Sequence, residues 1–379
     1  MNIVEISYRE NSGAPGEWVV EPVQIGESNL IVGKNATGKS RFLTVVLGLS
    51  KLIDGQQRLA YDNGEYDIRF NRGGAIIDYK LAFEDRKVVR ETLFIDGNLM
   101  LARDSDGSGM MYYSGQNDML KFSVPEDVLV LTSRRDRLQH PYIEYFHEWA
   151  SRVRYYQFGT SLGREQLSQF YELVSLMDDQ SSMDPNKANH VYSKGFHLWA
   201  ERFDQAIIAD MCRLGYPCHD IGIRQLDVKE LAAMQVGALF VSEDGLAQRT
   251  FQTHMSQGMF RALCMVIHLN FLSFSKTTGT VLIDDIGEGL DFERSSAFVA
   301  LLTERCTQSG LQLLMTTNDR FVMNSVPLSH WCILDRQGSV VNSFTEKVFP
   351  DLFRSFKFLG LNNFDFFASS FFKRDSKEG

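Results

Sequence analysis

The chain has 379 residues, 44% of them hydrophobic and 23% charged, with 8 prolines and a formal net charge of −9. This is the balance of a soluble globular protein with core enough for one large α/β domain or two ordinary ones. The negative charge argues against a protein whose whole surface grips nucleic acid, so nucleic acid is not the partner the charge indicates. No apolar run reaches bilayer length, and the longest candidate, residues 262–274, is interrupted by His268 and Asn270 and reads as a buried helix. The opening MNIVEISYRE lacks the basic start and apolar core of a secretory signal. Five cysteines, odd in number, suit a reducing cytoplasm better than a disulfide framework. Cys212, Cys218 and His219 lie close together, but their spacing matches no zinc module and they read as half-buried thiols.

In chain order, NIVEISY, EWVVEPVQI and SNLIVG read as strands, and from Lys39 to Ile53 the apolar spacing turns helical. A run of hairpins follows, YDIRF, AIIDYKLAF, KVVRETLFI, NLMLA, MMYY and LKFSV, divided by NG, RGG, DG and SGQND turn signals. VLVLT (128–132) reads as a further buried strand, and from Arg134 to Ile223 the pattern is helical, with QSSMDPNKANH as the loop between helices. The α/β pattern returns after Val236 with the strands GALFVSE, TVLIDD, LQLLMTT and WCILDR and with helices after Ser256 and from Phe292. The expected organisation is an N-terminal lobe over 1–133, a helical insertion over 134–235 and a C-terminal lobe over 236–379.

GKNATGKS, from Gly33 through Lys34, Asn35, Ala36, Thr37, Gly38 and Lys39 to Ser40, fits G-x-x-x-x-G-K-[ST] between an expected strand and an expected helix. The glycines let backbone N–H groups turn inward around phosphate oxygens, and the following helix points its positive end at them. Lys39 would reach the β- and γ-phosphates of ATP, Ser40 would bind Mg²⁺, and Arg41 lies next along the same helix. TVLIDDIGEGLD then supplies an apolar strand that ends in two acids. Asp284 would hold Mg²⁺ through its water shell, and Asp285 would deprotonate the attacking water, with Glu288 as the alternative base.

HMSQGMFRAL (254–263) resembles the signature motif of ABC-type ATPases, with Ser256 and Gly258 in the positions that matter and Gln257 and Met259 departing from the usual LSGGQ. GLD (289–291), ending in Asp291, resembles that family's D-loop, and LMTTND puts Asn318 where its switch histidine stands. The order of phosphate loop, hairpin lobe, helical insertion, signature, acidic strand, D-loop and switch covers nearly the whole chain and is similar to the SMC/RecF/OLD-like branch. The resemblance implies an α/β P-loop NTPase fold of ABC-ATPase type with an antiparallel β lobe and a helical insertion. It also implies an ATP-binding head-to-tail homodimer, with the phosphate loop of one copy capped by Ser256 and Gly258 of the other. Gln139, following the last lobe strand, occupies the place of the family's Q-loop glutamine, a Mg²⁺ contact, with Arg134 and Arg135 as alternative phosphate-sensing groups. Stand-alone bacterial members often serve anti-phage defence, as in Septu, PARIS and retron ATPases, beside a nuclease or toxin partner. The aspartate at 285 in place of the usual glutamate, and the asparagine at 318, imply slow hydrolysis. A DNA-repair ATPase of RecF type and a non-hydrolysing nucleotide-gated scaffold are the other readings. Arg134 to His140 loosely mimics a HEPN ribonuclease motif, and the phenylalanine-dense segment 356–372 reads either as core packing or as a docking strip.

Overall fold

The computed structural model describes residues 1–59, 62–169, 184–226 and 236–373. The chain divides into two compact units, one made of Met1–Val153 with Pro327–Gly379 and the other of Arg154–Val326.

In the first unit, β1 (Asn2–Glu10), β2 (Trp18–Gln24) and β3 (Ser28–Val32) precede the helix α1 (Lys39–Ile53). A meander then runs through β4 (Asn63–Arg72), β5 (Ala75–Glu84), β6 (Lys87–Ile95), β7 (Asn98–Arg103), β8 (Ser108–Tyr113) and β9 (Asp118–Ser123). All its neighbours pair antiparallel, as the alternating apolar pattern and the turn signals require. The later strands β17 (Trp331–Gln337) and β18 (Val340–Thr345) enter between β3 and β2, each pairing parallel with its neighbour. One face of this sheet is closed by the helix α3 (Pro141–Ala150), where Phe146 lies edge-on to Phe70 at 5.7 Å and Trp149 at 5.0 Å. Phe70 and Phe146 are fully buried, and truncating either to alanine would cost about 3–5 kcal/mol.

The run VLVLT is not a strand. Val130–Ser133 forms a single helical turn, α2, because buried side chains take over its backbone groups. Glu91 accepts the amides of Val130 at 2.7 Å and Leu131 at 3.2 Å. Arg103, also buried, donates to the carbonyls of Val128, Pro125 and Glu126 at 2.8, 3.0 and 3.1 Å. A short apolar run carries no period that separates these outcomes, and the deciding residues lie far away in sequence.

In the second unit, β10 (Arg154–Gln157), β15 (Thr280–Asp284) and β16 (Gln312–Thr316) pair in parallel, and α7 (Phe292–Ser309) crosses from β15 to β16. The helix α6 (Gln257–Phe274) is buried almost all round, which explains its lack of a polar face. A small antiparallel sheet holds β11 (Ser168–Gln169), β13 (Val236–Glu243) and β12 (Cys218–Gln225), with β14 (Thr250–Phe251) on β13.

The stretch expected to be helical from Arg134 to Ile223 is mixed. Arg154–Gln157 and Cys218–Gln225 are strands held by β15 and β13. The expected single helix over 194–215 is two, α4 (Ala188–Trp199) and α5 (Glu201–Arg213), parted at Ala200, whose φ is 49°. Of the helix expected through 164–177, residues 164–167 are turn and irregular backbone, Ser168–Gln169 is a short strand, and 170–177 lie outside the described residues. Of the loop expected at 180–190, residues 180–183 also lie outside them, and Ala188 already begins α4. Among the described residues no helix is long and apolar enough to cross a membrane.

The phenylalanine-dense end forms α8 (Pro350–Lys357) and α9 (Asn363–Ala368), with Phe353, Phe356, Phe366, Phe371 and Phe372 buried against one another. Phe358, Leu359 and Leu361 between the two helices stay exposed.

Candidate functional site

In the first unit, β3 drives Leu30, Ile31 and Val32 into the core and releases the chain into the glycine loop. Ala36 at φ 64° and Gly38 at φ 100° turn it back. A Cβ at Gly38 would stand 2.9 Å from the Trp18 ring, so the loop needs glycine there both for its backbone and for the indole beneath. At Gly33 a Cβ would meet Thr37 Oγ1 at 2.6 Å and the Leu334 carbonyl at 2.8 Å. Thr37 Oγ1 closes the turn on the carbonyl of Lys34 at 2.9 Å. Lys34, Asn35 and Ala36 stay exposed on the rim.

Lys39 is only 7% exposed, and its ammonium donates to the carbonyls of Gly33 at 2.9 Å and Lys34 at 3.4 Å. The helix α1 that follows has no side-chain cap and no acid in its first turn, so its N-terminal dipole faces the loop unopposed. A cation wrapped by its own loop at an uncapped helix start is chemistry that suits a polyanion. Ser40 is exposed, one residue into the helix. Arg41 lies 4.2 Å over the Trp18 ring and is ion-paired with Glu10, which also accepts the Tyr8 hydroxyl at 2.7 Å. Gln139 sits on an exposed turn of the same unit, its amide on Asp136 Oδ1 at 2.9 Å and its carbonyl accepting from Ser114 at 3.0 Å. Arg134 donates to the Ser123 carbonyl and Arg135 grips Glu144 through two nitrogens.

In the second unit, Asp284 ends β15 at 7% exposure. Thr316 Oγ1 donates to its Oδ1 at 2.5 Å, and the Tyr155 hydroxyl donates to its Oδ2 at 3.3 Å. Each carboxylate oxygen thus receives a hydroxyl from a neighbouring strand. Burial, followed by the nearby Asp284 charge, pushes Tyr155 up to about 12, so this phenol remains a donor at neutral pH. Asp285 adopts the left-handed backbone at φ 56°, with its amide on Thr316 Oγ1 at 2.9 Å. Asn318 donates to Asp285 Oδ1 at 3.3 Å. Glu288 faces Gly159, where an added Cβ would lie 2.7 Å from Glu288 Oε2 and 3.7 Å from Asp285 Cβ. The two candidate bases thus flank one glycine.

Ser256 caps α6, its hydroxyl accepting the Met259 amide at 3.2 Å. Gly258 is buried, and a Cβ there would stand 2.5 Å from the Gly289 carbonyl, so α6 meets the GLD turn through bare backbone. Arg261 locks that contact by donating to the carbonyls of Glu288 at 2.8 Å, Gly159 at 2.9 Å and Thr160 at 2.7 Å. Asp291 caps α7 through the Arg294 amide at 2.9 Å, which, ahead of the Arg294 side chain, holds its carboxyl below the usual range.

Thr316, Tyr155 and Arg261 escaped the sequence reading. An arginine inside the apolar run GMFRALCMVIHL is the one signal that marked Arg261. Nothing in the sequence marked Tyr155, which reaches Asp284 only because β10 lies beside β15.

No protein-family model matches the chain, and no curated protein matches it. Among solved structures, it is similar to an SMC head bound to the C-terminal winged-helix domain of ScpA, with TM-score 0.55 and 14% identity over 92% of this chain and 100% of that one. An SMC head with an extended coiled coil, bound to the C-terminal domain of ScpA and derived from Pyrococcus furiosus, gives 0.49 and 10% over 94% and 99%. The SMC head domain from Thermotoga maritima gives 0.45 and 12% over 91% and 99%. The first likeness, through its TM-score and full coverage, shows that the chain has the fold of an SMC head, an ABC-type ATPase fold.

Proposed function

We propose that this chain binds ATP with Mg²⁺, hydrolyses it slowly, and does so as a dimer in which two copies share the nucleotides. The observation that carries the reading is Lys39, a buried ammonium held on the carbonyls of its own glycine loop at an uncapped helix start. Gly33, Lys34, Asn35, Ala36, Thr37, Gly38, Lys39, Ser40 and Arg41 form the triphosphate cradle. Ser40 and Gln139 would contact Mg²⁺, and Asp284 would hold it through its water shell. Bound metal neutralises charge on the phosphoryl oxygens.

Asp285 takes the proton as water attacks the γ-phosphorus and the bond to the β-phosphate oxygen breaks, with Asn318 steadying its carboxylate. Glu288, across Gly159, is the alternative base. Ser256, Gly258 and Asp291 of one copy cap the nucleotide of the other, so ATP joins the pair and hydrolysis loosens it.

This cycle serves to control a partner effector such as the nuclease or toxin of an anti-phage system. A second reading, an ATPase acting on DNA ends or in repair, is favoured by the likeness to an SMC head. Duplex DNA that raises the ATPase with a steep salt dependence would select it.

The test is a combined measurement of ATP turnover and of molar mass by light scattering with a non-hydrolysable analogue. Analogue-dependent doubling of mass, with turnover below about one per second, supports the reading. A monomer at saturating analogue overturns the dimer, and turnover of tens per second overturns the slow cycle.

A further inference from the structure

We propose that Thr316 is the positioning residue of the acidic pair, with one hydroxyl fixing both Asp284 and Asp285, and that Tyr155 completes the hold on Asp284 alone. The inference rests on the ATPase reading and deepens it.

A threonine hydroxyl has one hydrogen and two lone pairs. At Thr316 the hydrogen goes to Asp284 Oδ1 at 2.5 Å, which leaves a lone pair to receive the Asp285 amide at 2.9 Å. The two bonds have opposite polarity and cannot be exchanged, because the Asp285 amide can only donate. Thr316 itself is fully buried at the end of β16, so no water competes for either bond. The adjoining backbone reinforces the arrangement, since the Thr316 carbonyl accepts the Ile286 amide at 2.9 Å and Thr317 Oγ1 donates to the Ile286 carbonyl at 2.9 Å. Residues 284–286 are thereby tied to the neighbouring strand at four points.

The consequence is a division of labour. The Asp284 bond fixes the orientation in which that carboxylate is presented. The Asp285 bond stabilises the left-handed backbone that brings its side chain to Asn318. Of the two acids, Tyr155 is hydrogen-bonded to Asp284, at 3.3 Å on the other oxygen. Loss of Thr316 disturbs metal and base together, whereas loss of the Tyr155 hydroxyl disturbs the metal side only. Groups that orient a ligand in this way cost about 10- to 100-fold in metal affinity or activity when removed.

The test uses the full chain with Thr316→Val, Thr316→Ser and Tyr155→Phe, reading kcat, KM and the Mg²⁺ midpoint of turnover. A second readout, calorimetric ATP affinity with and without Mg²⁺, does not depend on turnover. Thr316→Val is expected to raise the Mg²⁺ midpoint about 10-fold and to lower kcat about 10- to 100-fold at saturating Mg²⁺, with metal-free ATP affinity unchanged. Thr316→Ser should restore both to within about threefold, and Tyr155→Phe should shift the midpoint alone. The positioning role is overturned if Thr316→Val keeps the wild-type midpoint and kcat while Lys39→Ala is inactive. A fall in melting temperature without those shifts, or failure of serine to restore them, overturns it equally. If the wild-type chain binds no ATP in calorimetry, the ATPase reading falls and this inference with it. Should Thr316→Val fail to fold, the Tyr155→Phe and Thr316→Ser results still decide by the same criteria.

Discussion

The Lys39 ammonium lies 2.9 Å from the carbonyl of Gly33, six residues back along its own loop. The lysine is thus held on the backbone of the very loop proposed to cradle phosphate. Replacing it should disturb binding far more than folding. Lys39→Ala is expected to keep its melting temperature within about 2 °C without nucleotide, yet to lose the stabilisation of about 2.7 kcal/mol that ligand at 100 times Kd confers. Differential scanning fluorimetry with and without ATP–Mg²⁺ checks this, and an undiminished ATP-induced shift would refute it.

The pair Asp285 and Glu288 can be separated by neutral isosteres. Asp285→Asn should lower kcat by about 100-fold or more with ATP affinity unchanged, and Glu288→Gln should lower it by less than about 10-fold. The reverse order would transfer the base to Glu288. If neither change affects a biological readout that Lys39→Ala abolishes, the non-hydrolysing scaffold is the correct description.

Ser256 has a structural duty, the cap of α6, and a proposed ligand duty, and one substitution parts them. Aspartate is as good an N-cap as serine, whereas alanine forfeits about 1 kcal/mol. Ser256→Asp should therefore match the wild-type melting temperature while its carboxylate repels the γ-phosphate and abolishes analogue-induced dimerisation. Light scattering of this variant at wild-type molar mass would show that Ser256 is a cap and nothing more.

Asp204 offers a test of electrostatics away from the site. Burial pushes its carboxyl up from 3.8 to about 6, against the opposing hydrogen bond from the Tyr192 hydroxyl at 2.8 Å. The folded chain holds this proton more tightly than the unfolded one, so its contribution to stability is complete below the unfolded value of 3.8 and is lost as pH rises through about 6. Asp204→Asn should thus be more stable than wild type at pH 7, by about 1 kcal/mol after allowing for solvent screening, and equal to it below about pH 4. Urea melts at the two values measure it, and equal differences at both would remove Asp204 as the cause.

The β lobe was legible because each hairpin announces itself locally. Asp96 and Gly97 have φ 49° and 77°, the paired positive angles of the type I′ turn that a DG dipeptide favours. The glycine loop was legible because its motif is contiguous in sequence, although the steric demands that fix its glycines come partly from afar, from the Leu334 carbonyl at Gly33 and the Trp18 ring at Gly38. Distant partners defeated the reading elsewhere. VLVLT became a helical turn through Glu91 and Arg103, and the break at Ala200 carries no glycine or proline to mark it. Thr316 is 32 residues from the carboxylate it holds, and only the parallel pairing of β15 and β16 brings the two together.

A side chain can be lengthened by one codon change, but main-chain geometry cannot. At position 285 the helix-like twist of opposite hand, φ 56°, is one that short polar residues such as aspartate visit more readily than longer ones. Restoring the longer acid of the resembling family by Asp285→Glu would therefore set the extra methylene against a backbone already committed to its shape. On the proposed slow cycle, faster turnover would have to be sought by remodelling the strand-to-loop corner as a whole, because the constraint lies in the backbone at position 285.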